Sequence, residues 1–246
     1  MAQRVAVVSG GIGGLGTAAC IALAKAGCRV VAADIGADAQ RVAAFERSVA
    51  GLDIGFAALD VTDRDACTAL VREVEQAHGA LDILVNAAGI ARDSTLRKMD
   101  ASQWDAVLAV NLDGVFNLTR AAIEGMLARG FGRIVNISSV NGQTGQFGQA
   151  NYAAAKAGMH GFTMSLAREA ARKGVTVNSI SPGYCETAMV MAIPEEIRAG
   201  IVAQVPVGRL GKPGEIARTV AFLAADDAGF ITGANIPVNG GLFMSF

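Results

Sequence analysis

A single doubly wound α/β domain, an open sheet of about seven parallel strands with helices on both faces, is predicted by three observations. Seven short runs of aliphatic residues recur from one end of the chain to the other, and they are nearly apolar throughout rather than alternating. Stretches with helical spacing of apolar residues separate them. Third, Ser9 to Gly16, Asp34, Asp60, Asn86 to Gly89, Ser138, Ser139 and Pro182 to Thr187 all fall at or just after the C-terminal ends of such runs. A continuous apolar run suits a parallel strand covered on both faces, and such sheets bind ligands beyond the carboxyl ends of their strands.

In chain order, RVAVVSG (4–10) is a strand stopped by glycines, and TAACIALAK (17–25) has the composition of the helix that leaves such a turn. CRVVAAD (28–34) and IGFAALDV (54–61) are the next two strands, followed by a helix over 65–78. LDILVNAAG (81–89) precedes a long helix over 104–129, and GRIVNIS (132–138) precedes another over 152–172. VTVNSISPG (175–183), a helix over 213–225 and NIPVNGG (235–241) complete the alternation. No linker, repeat or low-complexity tract divides the chain, so residues 1–246 form one domain.

Composition narrows the function classes. With 52% hydrophobic residues and a mean hydropathy of +0.40, the 246 residues suit a large buried core. Twenty-one Lys and Arg balance twenty-two Asp and Glu, which offers no basic face to nucleic acid or acidic lipid. The first apolar run is too short for a secretory core or a membrane span, which predicts a cytoplasmic protein. Cys20, Cys28, Cys67 and Cys185 have no CxxC spacing and sit among apolar neighbours, as reduced thiols do. His78 and His160 belong to no metal-like cluster, so no metal is expected.

The first strand ends in SGGIGGLG, where Gly10, Gly14 and Gly16 space as G-x-x-x-G-x-G before a helix. Such a turn lets backbone amides and the positive end of the helix approach a pyrophosphate. Asp34 ends the second strand twenty residues past Gly14, where a carboxylate accepts from both ribose hydroxyls of an adenosine. At about 4 Å from a 2′-phosphate it opposes that group by a few kcal/mol at an effective dielectric near 20. NADH is therefore expected over NADPH, with Asp38 adding like charge. Arg41 is the residue that would favour the phosphate, although it reads better as a solvated helix residue.

A second constellation is chemical. Tyr152 and Lys156 are four residues apart on a helical pattern and so share one face, and Ser139 lies thirteen residues upstream of the tyrosine. A phenol titrates near about 10. A neighbouring ammonium that favours the phenolate is expected to lower it. A hydride delivered to a carbonyl carbon leaves charge on oxygen, which Tyr152 is placed to protonate and Ser139 to hydrogen-bond. Asn111 is a candidate to steady the lysine through a water or a helix kink. Ser138 is read as a packing or backbone-bonding serine, His160 as packing, and Cys185 as a bystander.

SGGIGGLG, NAAG, the serine before YAAAK, and PGYCET together resemble the short-chain dehydrogenase/reductase family over essentially the whole chain. The resemblance implies a Rossmann-type fold, with Tyr152 as general acid and base, Lys156 also holding the nicotinamide ribose, Ser139 polarising the carbonyl and Asn111 completing a proton relay. It further implies that Ser9, standing where the family usually has threonine, and Gly10, Gly14, Leu15 and Gly16 meet the dinucleotide. On the same resemblance, Asp60 and Val61 are expected to meet the adenine, Asn86, Gly89, Pro182 and Gly183 to line the cofactor, and Thr187 to bond its carboxamide.

Within the family, NGQTGQFGQANY and SPGYCETAMV resemble the acetoacetyl-CoA reductases of polyhydroxyalkanoate synthesis. Gln146, Phe147, Gln149 and Tyr184 are then expected at the acyl end, with Asp93 in a loop near the substrate. Uncharged donors suit a neutral 3-oxo thioester. A 3-oxoacyl carrier-protein reductase is the alternative, for which Arg129, Arg172 and Lys173 are the basic candidates. A catalytically idle dinucleotide-binding regulator is another, against which the intact Ser139, Tyr152 and Lys156 speak. The resemblance implies a homotetramer, with the apolar end TGANIPVNGGLFMSF and the helices from Trp104 and Tyr152 as candidate interfaces.

Overall fold

The structure, a computed structural model, describes residues 3–36 and 38–244. Seven strands, β1 (Val5–Ser9), β2 (Arg29–Asp34), β3 (Ile54–Ala58), β4 (Ile83–Asn86), β5 (Gly132–Ile137), β6 (Val175–Pro182) and β7 (Asn235–Val238), pair in parallel in the order β3-β2-β1-β4-β5-β6-β7. All seven coincide with the apolar runs of the sequence. Every residue of β1, β4, β5 and β6 is buried, as strands with helices on both faces require. The edge strands β3 and β7 are only partly covered.

The helices are α1 (Gly14–Lys25), α2 (Ala39–Ser48), α3 (Arg64–His78), α4 (Ala101–Leu108), α5 (Gly114–Arg129), α6 (Asn141–Thr144), α7 (Ala150–Ala170), α8 (Ala188–Met191), α9 (Glu195–Gln204) and α10 (Pro213–Ala224). Two cores result. Leu70 and Val74 of α3, Leu118 and Met126 of α5, and Ala167 of α7 pack on one face of the sheet. Leu23 of α1, Phe45 of α2, and Ile216, Val220 and Leu223 of α10 pack on the other.

The long helix expected over 104–129 differs in two ways. It begins at Ala101, because Asp100 accepts from Gln103 N and the Gln103 side chain accepts in return, a capping box that fixes the start. It is also interrupted by a π turn, Ala109–Asp113, which separates α4 from α5. Together residues 101–129 are long and apolar enough to cross a membrane by length and composition. They pack instead on α3, α7, β4 and β5 as a layer of the domain. Helices α6, α8 and α9 answer to no helical stretch read in the sequence, and α2 only to the helix position read for Arg41.

β1 to β3 run outward on one side and β4 to β7 on the other, so the strand order reverses between β1 and β4. The register sets Ser9 opposite both Ala33 and Asn86, Asn86 opposite Asn136, and Ile137 opposite Ile180. The C-terminal ends therefore form one rim, with a crevice at the reversal. All four thiols are free and buried, and burial pushes Cys20 up to about 12 and Cys67 and Cys185 up to about 11. Among the described residues no group of three His, Cys, Asp or Glu is placed to hold a metal.

Candidate active site

The glycine turn sits at the reversal point, and each glycine has its own reason. Gly10 has φ +65°, and a Cβ there would stand 2.7 Å from Ala87 O in the β4 loop. A Cβ on Gly16 would collide with the Gly10 carbonyl oxygen, so the helix can start this close only with glycine. On Gly14 it would stand 3.0 Å from Thr187 Cγ2, which brings the Pro182–Thr187 segment against the turn. Gly13 caps α1 without any side-chain hydrogen bond, and Leu15 in the first turn packs inward on the core. Asp34 Oδ2 accepts from Ile12 N at 3.3 Å and Oδ1 from Ile35 N at 2.8 Å, which fixes the carboxylate beside the turn. A cradle open only because its residues lack Cβ atoms, at a helix start and beside a carboxylate, fits a dinucleotide.

Several other residues expected to touch the cofactor are tied into the protein around this turn. The Ser9 hydroxyl is buried and accepts from Ala87 N at 3.2 Å and Ala88 N at 3.3 Å, so it ties the ends of β1 and β4 together. Asn86 is buried too, donating from Nδ2 to Thr119 Oγ1 at 3.0 Å and to Asn136 Oδ1 at 2.8 Å. Asn136 passes this chain on to Thr163 Oγ1 at 2.9 Å. Asp60 Oδ1 accepts from Thr62 N and Oγ1, and the buried Val61 packs so close to Gly114 that a Cβ there would stand 2.6 Å from its Cγ2. Pro182 and Gly183 end β6 on the rim, the latter packed tightly on Asn239.

The residues expected to be catalytic assemble on α7 and the end of β5. Lys156 is buried and donates from Nζ to Ile137 O at 2.7 Å, and burial lowers it from 10.5 to about 8. Its Nζ stands 5.7 Å from the Tyr152 ring centroid, one turn back along the helix. Tyr152 departs from the sequence reading in direction. Burial raises the phenol above its ordinary value, a hydrogen bond with Ser139 pulls it down, and Asp93 and Tyr184 push it up again. Lys156 lends its charge to the strand-end carbonyl and does not reverse this. Ser139 Oγ accepts from Asn141 N at 3.1 Å. Asn111, in the π turn, accepts from Ile90 N at 2.8 Å and donates to Ile90 O at 2.9 Å. Gly89 lies between them, since a Cβ on it would stand 3.5 Å from Asn111 Oδ1 and 3.6 Å from Lys156 Nζ.

On the substrate side, Gln149 donates from Nε2 to Asp93 Oδ2 at 2.8 Å and accepts at Oε1 from Asn141 Nδ2 at 2.8 Å. Its amide is thus engaged within the protein. Tyr184 is partly buried near Tyr152, whereas Gln146 is exposed and Phe147 is 88% exposed, outside any acyl-sized enclosure. Asn141 was missed by sequence reasoning, although it stands only two residues beyond Ser139. Asn151 was missed as well: it is buried and donates to Arg92 O and Gln103 O, locking the start of α7 to the Asp93 loop and α4.

The basic candidates lie elsewhere. Arg129 at the end of α5 pairs with Glu75 at 2.7 Å and donates to Leu81 O, ahead of β4, and Arg172 and Lys173 follow α7 ahead of β6. All three are on the rim opposite the catalytic one. Arg41 is exposed in the first turn of α2, whose N-cap is Asp38.

Residues 10–243 match the family described as enoyl-(acyl carrier protein) reductase. An acetoacetyl-CoA reductase of Allochromatium vinosum is 56% identical over 243 residues, covering 98% of this chain and 99% of that protein. A 3-oxoacyl-[acyl-carrier-protein] reductase of Vibrio cholerae is 44% identical over 241 residues, with 98% of each covered. The crystal structure of gox2181 superposes with a TM-score of 0.92 at 37% identity, covering 98% of this chain and 96% of that one.

Proposed function

The chain belongs to the short-chain dehydrogenase/reductase family of nicotinamide-dependent oxidoreductases, and we propose that it reduces acetoacetyl-CoA to (R)-3-hydroxybutyryl-CoA, the reduction that serves polyhydroxybutyrate synthesis. The observation that carries the reading is the grouping of Ser139, Tyr152 and the buried Lys156 at the end of β5 and the start of α7, on the same rim as the glycine turn, in a chain 56% identical to an acetoacetyl-CoA reductase.

Gly10, Gly14, Gly16, Asp34 and Thr187 would hold the dinucleotide, and a reduced nicotinamide supplies the hydride when bound. The remaining chemistry belongs to the chain. Ser139 has one acceptor site filled by Asn141 N, and its proton, directed at the phenol oxygen by the hydrogen bond that pulls Tyr152 down, can turn to a substrate carbonyl oxygen placed beside it. Tyr152, held above the ordinary phenol value by burial, stays protonated at neutral pH and is a ready donor to the developing alkoxide. Lys156, at about 8, exchanges protons near neutrality and can restore the phenol's proton. Asp34 supports NADH as the preferred cofactor, with NADPH second.

Tyr184 and the Gln149–Asp93 pair border the carbonyl site, and Gln146 and Phe147 stand at its mouth, where the arm of a thioester would leave. We place the enzyme in the cytoplasm as a homotetramer, with Phe116 of α5, Met164 of α7 and Phe230, all large and exposed, on the faces between copies. The test is a spectrophotometric assay of acetoacetyl-CoA with NADH and NADPH in parallel, with acetoacetyl carrier protein as a third arm. Oxidation of neither cofactor by the CoA ester overturns the reading, and a strong preference for the carrier-protein ester replaces it with the carrier-protein reductase.

A further inference from the structure

Two residues that the catalytic group does not use, Ser138 and His160, meet directly behind it. Ser138 Oγ lies 2.9 Å from Lys156 O and 2.6 Å from His160 Nε2. A carbonyl oxygen can only accept, and a serine hydroxyl has one proton. Ser138 therefore donates to Lys156 O, and the proton on the shorter contact is carried by His160 Nε2. The geometry fixes the ring in the Nε2–H tautomer. Burial and the charge of Lys156 both hold His160 below its ordinary value, in keeping with a neutral ring.

This arrangement grips Lys156 at both ends from two consecutive residues. Ile137 O takes its Nζ at 2.7 Å, and the Ser138 hydroxyl takes its backbone carbonyl. The strand end cannot shift to release either, because Ser138 N donates to Ile180 O at 2.7 Å and Val140 N to Pro182 O at 2.8 Å. Nor has the helix room to move: a Cβ on Gly142 of α6 would stand 2.8 Å from the Lys156 carbonyl carbon and 2.9 Å from its Cβ. These contacts leave rotation of the Ser138 hydroxyl open. His160 removes it, because a donor at 2.6 Å occupies one lone pair and turns the proton toward Lys156 O.

We propose that His160 is a positioning residue for the reduction, acting through the Ser138 hydroxyl to hold Lys156 in register with Tyr152 and Ser139. The inference rests on Lys156 serving the proton relay. A misplaced lysine slows proton transfer while leaving the carbonyl site intact, so the signature is in kcat and not in KM.

The deciding measurements are kinetics of H160L and H160Q with a spectroscopic readout on the native protein. Leucine fills the space without a donor, and glutamine offers an amide N–H where Nε2 stood. H160L should lower kcat about tenfold, with KM for acetoacetyl-CoA and Kd for the cofactor within about twofold, and H160Q should recover most of the loss. The double variant S138A/H160L should be no worse than H160L alone, since both break one linkage. Nitrogen-15 NMR of the native ring should report the Nε2–H tautomer, a result that needs no variant to fold and no activity. A kcat for H160L within twofold of native, equal damage from leucine and glutamine, additive losses in the double variant, or an Nδ1–H ring would each overturn the proposal. A native enzyme that fails to reduce acetoacetyl-CoA while the ring is Nε2–H would instead remove the proposed substrate.

Discussion

Gln149 and Asp93 are joined side chain to side chain, Nε2 donating to Oδ2 at 2.8 Å across 56 residues of sequence. The other end of the same amide accepts from Asn141, whose backbone N–H donates to Ser139 Oγ. Gln149 thus links the loop that bears Asp93 to Asn141, which bonds Ser139. Q149L is expected to lower kcat on acetoacetyl-CoA and on a small ketone by similar factors, of about tenfold for about 1.4 kcal/mol of lost hydrogen bonding. Steady-state kinetics on both substrates decides it. A loss confined to the CoA ester would mean that the amide leaves Asp93 to bind the thioester.

Lys156 sets a conflict between stability and chemistry. Its ammonium is buried and titrates at about 8 instead of 10.5, a cost to the charged folded state of about 3 kcal/mol. For a base whose folded value is depressed, the unfolded chain binds more protons. The cost is then fully present below about pH 8 and fades as pH rises toward 10.5. K156M should therefore be more stable than the native protein at pH 7, by about 2 kcal/mol after the bond to Ile137 O is forfeited, and the advantage should shrink by pH 10. Urea unfolding at the two pH values measures this. A variant less stable at pH 7 would show that the strand-end bond outweighs the desolvation.

The same lysine should shape the activity profile. Reduction draws on the protonated relay, so kcat should hold through neutrality and fall as pH passes about 8, with the slope of a single proton. Turnover that rises through pH 9 would separate Lys156 from the rate-limiting proton.

Tyr152→Phe keeps the ring and removes the acid. We expect reduction to fall by at least about a hundredfold, while cofactor binding followed by fluorescence changes little. Turnover within a few-fold of native would remove Tyr152 from its role.

Local signals and remote contacts divide what the sequence discloses about this site. The glycine turn, Asp34 and the Tyr152 to Lys156 spacing are read within a few residues of themselves, and the structure sets the turn between β1 and α1, Asp34 at the end of β2 and the pair on α7. Seven apolar runs became seven strands for a similar reason, since burial on both faces leaves its mark on every residue. The contacts of Gln149 and His160 were not legible, because their partners lie 56 and 22 residues away. Phe147 read as an acyl-site residue yet is exposed, and no local pattern distinguishes the mouth of a site from its wall. The π turn at Asn111 has the composition of an ordinary helix, and α8 and α9 leave Met189, Met191 and Ile197 exposed, so no buried apolar stripe marks them.

Cofactor choice is the prediction on which Asp34 stands or falls. Its carboxylate is fixed at the end of β2 by Ile12 N and Ile35 N, beside the turn that would hold the pyrophosphate. A 2′-phosphate placed at about 4 Å would meet about 4 kcal/mol of repulsion at an effective dielectric near 20, reduced further by solvent and salt. Asp38 adds no relief, because it is a like charge spent on capping α2. Asp34→Ala would remove the charge but also strand two backbone amides, so Asp34→Asn, which keeps an acceptor, is the cleaner variant. It should weaken use of NADH, relieve the penalty on NADPH, and narrow the ratio of their specificity constants at least tenfold, worth about 1.4 kcal/mol. Should the native enzyme already use NADPH better than NADH, the exposed Arg41 at the start of α2 outweighs the carboxylate. Removing Arg41 would then reverse the preference, while Ser139, Tyr152 and Lys156 keep their roles.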